Sequence, residues 1–565
     1  AKEQFGQNIE ISLFKYIDDV ECELKRSPPD ILGVSNYAWN YRIGCEMANV
    51  FSKLNPNGLV VFGGPNFPVD LPSQERFFRE NPIVDIYIPT EGEVGFTNIV
   101  QKSLEAKSHK EIRNKVLSQP IDGCITRSSD GKLHYTIPEI RIKKLDEIPS
   151  PYLTGLMDKF FDGKLSPMIQ TNRGCPFHCT FCTDGRDSVN QINSFSLDRI
   201  SAEINYIANN APLETDNLLI SDLNFGMFPK DSAVCDFIDE SKKKFGYPKR
   251  VKCTTGKNQK KRIISNIEKL RGSIKMDMAV QSMTPEVLKN VRRDNISTDH
   301  LLAIGPAIKK TGVTLSSDII AGLPGETFES TLQTVKDIIH ADVDEVFIWT
   351  LMMLDGSELN VPKEREKWNI KTKYRIIPRD FVKLSSGKVI TEIEEVGVST
   401  NTLSFEDYVE LRLLALVVKV TKTGFVYDPI LKFLKEQNID VYDLIYNMTY
   451  RSNHASENIK KLFNTFRKAS IDELWDSPEE IEKNYQNDIE YEKLLNGDVG
   501  QNLTQYYHGV VLSKNMSDWT EYVLNTAKNL LMEKQGIFND ELEKQFIAIS
   551  NYCKALGHNV LGKDR

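Results

Sequence analysis

SPMIQTNRGCPFHCTFC, residues 166–182, joins an apolar, strand-like run to three cysteines, Cys175, Cys179 and Cys182, set within eight residues with His178 among them. Gly174 before the cysteines and Pro176 between them favour a loop over a helix face. Three thiols this close point to a metal. A structural zinc site pairs two ligand couples, and no second CxxC or HxxxH accompanies this run; zinc would have to take His178 or a distant cysteine as its fourth ligand. A four-iron, four-sulfur cube needs four thiolates only if every iron is capped. Three leave one iron open, so the missing ligand is itself a functional feature.

Downstream of the cysteines the chain alternates. Candidate strands at 166–174, NLLISDLN (217–224), RVKCTTG (250–256), SIKMDMAVQS (273–282), VTLSSDIIAG (313–322) and EVFIWTLMML (345–354) are separated by helical stretches such as 197–208 and 331–340. Six βα units of about 30–40 residues predict a (β/α)6 partial or complete parallel barrel, with functional residues at the strand C-termini. Polar side chains crowd those ends: the cysteines after the first strand, Asp222 and Asn224 at the second, Lys257 at the third, Gln281 and Ser282 at the fourth. GLPGE, with Gly322 and Glu326, follows the fifth. The plain alternatives are strand-end capping by Asp222 and Asn224, a tight turn at GLPGE, and a helix first-turn charge at Glu326.

Upstream, runs at 9–14, 30–37, 59–65 and 84–93 read as buried strands, with helical spacing at 45–54, 73–80 and 94–104. This alternation predicts a doubly wound, Rossmann-like parallel sheet whose ligand side lies beyond the strand C-termini. Those ends are SNYAWN (35–40), GGPNFP (63–68) and TEGE (90–93). ITRSSDGKLHY (125–135) reads as a β-hairpin within a connector, and LDEIPSPYL (145–153) as a boundary. After about 365 a strand-rich piece, KYRIIPRDF and then 387–400, precedes a long, mostly amphipathic helical region. The α/β chain is therefore divided into a Rossmann-like domain at 1–110, a connector at 111–164, a barrel at 165–362 and a mostly helical capping domain at 363–565.

Composition narrows the function classes. The formal net charge is -8, which argues against a nucleic-acid partner held mainly through phosphates. The most apolar run, LRLLALVVKV (411–420), carries Arg412 and Lys419 and reads as a buried helix, so no membrane span is expected. Nine cysteines, six of them scattered singly, do not form a disulfide framework, and a reducing, cytoplasmic compartment is expected.

The CxxxCxxC loop after the first strand of a βα series, with Phe181 before its last cysteine, resembles the radical S-adenosylmethionine superfamily over residues 165–360. The resemblance implies that Cys175, Cys179 and Cys182 hold a 4Fe-4S cluster whose open iron chelates S-adenosylmethionine, which is cleaved to a 5′-deoxyadenosyl radical. It also implies contacts to S-adenosylmethionine from Phe181, Asp222, Asn224, Lys257, Gln281, Ser282, Ser316 and Gly322. The loops before this core are similar to those of the cobalamin-binding subgroup. They imply a corrin held between the two domains by Ser35, Asn36, Tyr37, Trp39, Asn40, Gly63, Gly64, Pro65, Glu91, Gly92 and Glu93. The subgroup is expected to have no histidine below the cobalt here, because the first domain offers only His109, in KSHK. It also has a further strand and helix at this end, so the opening AKEQFGQ, without Met, is expected to be a truncated N-terminus.

The reading is a cobalamin-dependent radical S-adenosylmethionine methyltransferase acting on an unactivated carbon or phosphorus of a small molecule, with flavodoxin or ferredoxin as electron donor. A rearrangement or cyclisation enzyme with the same cofactors is the enzymatic alternative. A cobalamin or iron–sulfur sensor is the non-enzymatic one. A methylthiotransferase would need a second cluster, and Cys22, Cys45 and Cys124 are scattered.

Overall fold

The computed structural model describes residues 1–560 except 90, 138–140, 257–258, 295–301, 303–304, 307, 310–311, 536–538 and 559. Its first unit is a five-stranded sheet in the order β1 (Ile31–Ser35), β2 (Leu59–Gly63), β3 (Ile86–Ile88), β4 (Cys124–Arg127), β5 (Leu133–Thr136). The first three strands are parallel, and β3–β4 and β4–β5 are antiparallel. Alternate side chains face opposite layers, as the pleat requires. Val60, Phe62 and Tyr87 pack with Ala48, Phe51, Phe77 and Phe78 of helices 41–54 and 71–80. Leu59, Val61, Ile86 and Ile88 pack with Ile99, Ile112 and Val116 of helices 92–104 and 112–117. Helices on both faces make the sheet doubly wound, as expected.

Two expectations change. Residues 9–14 form no strand; they run irregularly and are tied to the connector, where Lys159 bonds the Leu13 carbonyl and Tyr16 donates to Asp162 at 2.5 Å. The hairpin expected within a connector instead completes the first sheet, because β4 pairs directly with β3.

The second unit holds β6 (Met168–Ile169), a small antiparallel clasp of β7 (Asn172–Arg173) with β8 (Asn193–Ser194), then β9 (Asn217–Phe225), β10 (Arg250–Thr255), β11 (Met276–Asp277), β12 (Leu315–Ala321) and β13 (Glu345–Thr350). Two three-stranded parallel sheets, β6-β9-β10 and β11-β12-β13, join at a single bridge from Val251 to Ile274. Six parallel strands in chain order, helices outside, make the (β/α)6 partial barrel. The fourth strand is shorter than the expected 273–282, pairing with β12 at 276–277 and again at Gln281, where a φ of 66° turns the chain.

A long hairpin, β14 (Lys371–Lys383) with β15 (Val389–Ser399), bridges the two units. On one side Val396 pairs with Met352 after β13. On the other, the buried Glu392 carboxylate accepts Arg42 N at 3.0 Å and Ile43 N at 2.8 Å at the start of helix 41–54. That position favours negative charge and satisfies amides the helix cannot. Helix 405–422 then covers the barrel's last edge strand, with Lys419 over the Phe347 ring at 4.6 Å. Its 411–420 run is buried, except at Arg412 and Lys419, as its sequence implied. No helix among the described residues is long and apolar enough to cross a membrane.

Candidate functional site

The cysteine loop leaves β7 through Gly174, whose φ of 105° and crowding against the Gln191 carbonyl exclude a side chain. Cys175 N then bonds the Val189 carbonyl at 3.1 Å, Thr180 N the Val291 carbonyl at 3.0 Å, and Cys182 N the Cys179 carbonyl at 3.1 Å. Phe177, Phe181, Met227 and Phe228 wrap the thiols; Cys179 is buried, Cys175 and Cys182 half-buried. His178 turns outward to Asp187 at 3.1 Å. Among the described residues no three His, Cys, Asp or Glu side chains are grouped to hold one metal ion. A cube binds each thiolate to a different iron, so its ligands ring a space rather than converge.

Buried donors meet the sulfurs. Asn224, at the end of β9, donates Nδ2 to Cys175 Sγ at 3.4 Å, and Arg293 donates Nη1 to Cys179 Sγ at 3.6 Å. Arg293 is 7% exposed, its Nε bonds the Val280 carbonyl at 3.1 Å, and its guanidinium lies 5.8 Å from the Phe181 ring centre. Burial, with the Asp184 charge added, pushes the Cys182 thiol up to about 12. A thiol in such a place ionises only against strong positive charge. Three thiols on one loop with a buried cation against them fit an anionic iron–sulfur cluster.

The other positions named from the strand ends divide. Asp222 is buried and engages both oxygens inside the protein: Thr171 N at 2.7 Å, Asn172 Nδ2 at 2.6 Å, Asn172 N at 3.3 Å, and the Thr171 hydroxyl. It positions the start of the cysteine loop. Ser282 is fully buried and donates to Glu326 at 3.0 Å, and burial pushes the Glu326 carboxyl up to about 8. Glu326 is therefore part of the wall rather than a first-turn surface charge. Gln281 is different: its Oε1 is buried without a partner, an acceptor left for a ligand. Ser316 leans toward Asp277 at 3.5 Å. Gly322 has a φ of 91° and room beside it, since a Cβ there would find Leu403 nearest, at 3.7 Å. Lys257 lies outside the described residues.

Across the cleft, the loop after β1 presents Tyr37 stacked on Trp39, centroids 4.6 Å apart and 17° between planes, with Trp39 55% exposed. Burial, with the Asp184 charge added, raises the Tyr37 hydroxyl pKa. Asn40 accepts Tyr37 N at 2.8 Å and donates to Ser35 at 3.1 Å, fixing the loop. Asn36 is wholly buried and donates to the Asn66 carbonyl at 2.6 Å, so it clamps two loops together. Gly64, φ 135°, is demanded by this clamp, since a Cβ would stand 2.5 Å from the Asn36 carbonyl. Gly63 lies under Ile88, and the Pro65 carbonyl abuts Gly356 of the barrel unit. Glu91 pairs with Arg141 at 3.1 Å and Glu93 with Arg173 at 2.7 Å, which ties the loop after β3 to the strand that enters the cysteines. A Cβ on Gly92 would meet nothing within 4 Å. His109 is a surface residue on Asp30. The exposed, stacked aromatics and the open Gly92 backbone fit a large flat ligand between the units.

Sequence reading missed Arg293 and the barrel's inner wall. There Trp349, 46% exposed, donates Nε1 to Asp318 at 2.7 Å. Burial and the neighbouring Asp318 push Asp277 up to about 7. The available signal was period two: Asp318 and Ile320 alternate with buried Ser317 and Ile319.

Comparison with known proteins bears on this arrangement. Residues 169–338 match the family described as the Radical SAM superfamily. The chain is 28% identical over 398 residues to the cobalamin-dependent radical SAM methyltransferase TokK of Streptomyces tokunonensis, covering 68% of this chain and 55% of that one. It is 26% identical over 397 residues, with the same coverage, to the 2-(S-pantetheinyl)-carbapenam-3-carboxylate methyltransferase of Streptantibioticus cattleyicolor. The fold matches the cobalamin-dependent S-adenosylmethionine radical enzyme OxsB at TM-score 0.51 and 14% identity, over 96% of this chain and 78% of that one. These matches support a place for the chain in a cobalamin-binding radical SAM family. The chain spans about half the length of the methyltransferases it matches.

Proposed function

We propose that this chain is a cobalamin-dependent radical S-adenosylmethionine methyltransferase acting on an unactivated carbon or phosphorus of a small molecule. The observation that carries the reading is that Cys175, Cys179 and Cys182 share one loop whose entry residue, Arg173, pairs with Glu93 of the first unit at 2.7 Å, while that unit leaves the stacked Tyr37–Trp39 pair exposed. A cluster and a corrin bound there supply, respectively, radical-generating electron transfer to S-adenosylmethionine and a methyl carrier. The three cysteines hold the cluster, and Asp222 fixes the strand end from which their loop departs. Gln281, Asn224 and Phe181 surround the side on which S-adenosylmethionine binds. Tyr37 and Trp39 cover the corrin, and Gly92 lets backbone approach it. The Glu91–Arg141 and Glu93–Arg173 pairs hold the loop after β3 against the segment that enters the cysteines. Trp349 and the Asp277–Asp318 pair line the space left for substrate. The free state of all nine cysteines fits a reducing cytoplasm, where a flavodoxin or ferredoxin supplies electrons.

The test is anaerobic. Protein reconstituted with iron, sulfide and cobalamin receives S-adenosylmethionine and a strong reductant, and 5′-deoxyadenosine and S-adenosylhomocysteine are quantified by mass spectrometry. Formation of both, dependent on cobalamin, is expected. 5′-Deoxyadenosine alone, with candidate substrates present, would replace methyl transfer by rearrangement chemistry. Neither product from protein with an intact cluster would overturn the enzymatic reading.

A further inference from the structure

Arg293 poses an electrostatic question. Its side chain is 7% exposed, and a buried cation without a counter-charge is costly. Two of its bonds go to the Val280 and Ala279 carbonyls, which orient the guanidinium and leave its charge intact. Its third bond goes from Nη1 to the Cys179 sulfur at 3.6 Å, within the three-thiol loop. Asn224, 3% exposed, adds a neutral donor on Cys175, and the Asp184 backbone donates toward Cys182. Each thiol therefore has its own N–H.

We infer that Arg293 and Asn224 are positioning residues that set the redox poise of the cluster, Arg293 through its fixed charge and Asn224 through its N–H···S bond. This rests on the cluster reading of the proposed function. One-electron reduction adds a negative charge to the cluster. A buried positive charge 3.6 Å from a ligand sulfur stabilises the reduced form more than the oxidised one. Hydrogen bonds to cluster sulfurs act in the same direction. Lysine keeps the charge and loses the planar fork; glutamine loses the charge.

The experiment is a one-electron potentiometric titration, read by electron paramagnetic resonance, of reconstituted wild-type, R293K, R293Q and N224L proteins without S-adenosylmethionine. At a fixed potential R293Q is expected to show a reduced-to-oxidised ratio at least tenfold below wild type, about 59 mV for a one-electron couple. R293K is expected within about threefold of wild type, and N224L about threefold below it. R293Q equal to wild type overturns the inference, as does R293K falling as far as R293Q. If R293Q retains no iron, N224L decides, and an unchanged midpoint overturns the inference. Wild-type protein that assembles no four-iron cluster defeats the proposed function itself, a separate outcome.

Discussion

The two α/β units use their strands differently. In the first sheet β2 and β3 are buried along almost their whole length, because helices cover both faces, and polar groups appear only in the loops beyond the strands. In the barrel one strand face looks inward, and Asp277, Ser316, Asp318 and Trp349 stand on the strands themselves. A sheet covered on both sides can offer a ligand only its rim. A barrel can offer both a rim and a wall. The first unit is thus suited to holding a flat cofactor at its edge, and the second to enclosing what reacts.

The largest expected effect breaks the comparison on the barrel side. Replacing Cys179 by serine should abolish cluster absorbance and 5′-deoxyadenosine formation while cobalamin binding persists. Loss of cobalamin as well would show that the two rims do not act separately. Next, D222N removes the charge that four buried donors share, at a cost of about 2–3 kcal/mol. Thermal denaturation should register that loss together with reduced iron retention, and unchanged iron would remove Asp222 from the support of the cysteine loop.

On the first unit's rim, W39A should weaken cobalamin binding about tenfold, from roughly 1–1.5 kcal/mol of lost stacking. Equilibrium dialysis of hydroxocobalamin measures it, and the cluster serves as internal control. The glycines sharpen the contrast. G64A should lower the melting temperature through strain and its collision with Asn36, whereas G92A should leave melting unchanged and reduce only cobalamin affinity. A melting loss in G92A would assign that glycine to packing.

The last effect concerns the barrel wall. Glu326 is raised from its ordinary value of 4.5 to about 8 by burial. Between those values the folded chain keeps a proton that the unfolded chain releases, so stability falls as pH rises, by at most about 1.4 kcal/mol per pH unit for one group. E326Q should flatten that decline in melting temperature. An unaltered slope would mean that Glu326 is ionised in its site.

The cysteine loop and the six βα units were legible because each signal is local: spacing in one case, alternation of strand and helix in the other. Asp222 was legible as a strand end with two open readings, ligand contact or capping, since a sequence does not tell whether a carboxylate faces a ligand or the amides of the neighbouring strand; the structure shows it bonded to Thr171 and Asn172. Arg293 was hidden for the opposite reason, standing in VRRDN among surface-like charges while its partner Cys179 lies 114 positions earlier. The run at 9–14 has a strand's composition, and pairing, which composition does not specify, is what it lacks. Hairpin 124–136 was recognised as a hairpin, but its membership of the first sheet depends on β3, about 35 positions upstream.

Glu392 also orders events in time. The amides it caps belong to residues 42 and 43, 350 and 349 positions earlier in the chain. During synthesis at about 5–20 residues per second, helix 41–54 therefore waits on the order of half a minute before its N-terminal partner exists. The first unit leaves the ribosome with that end open to water, and the hairpin that closes it is made only after the whole barrel has been translated. Completion of the first unit's rim is thus delayed until the second unit has been made.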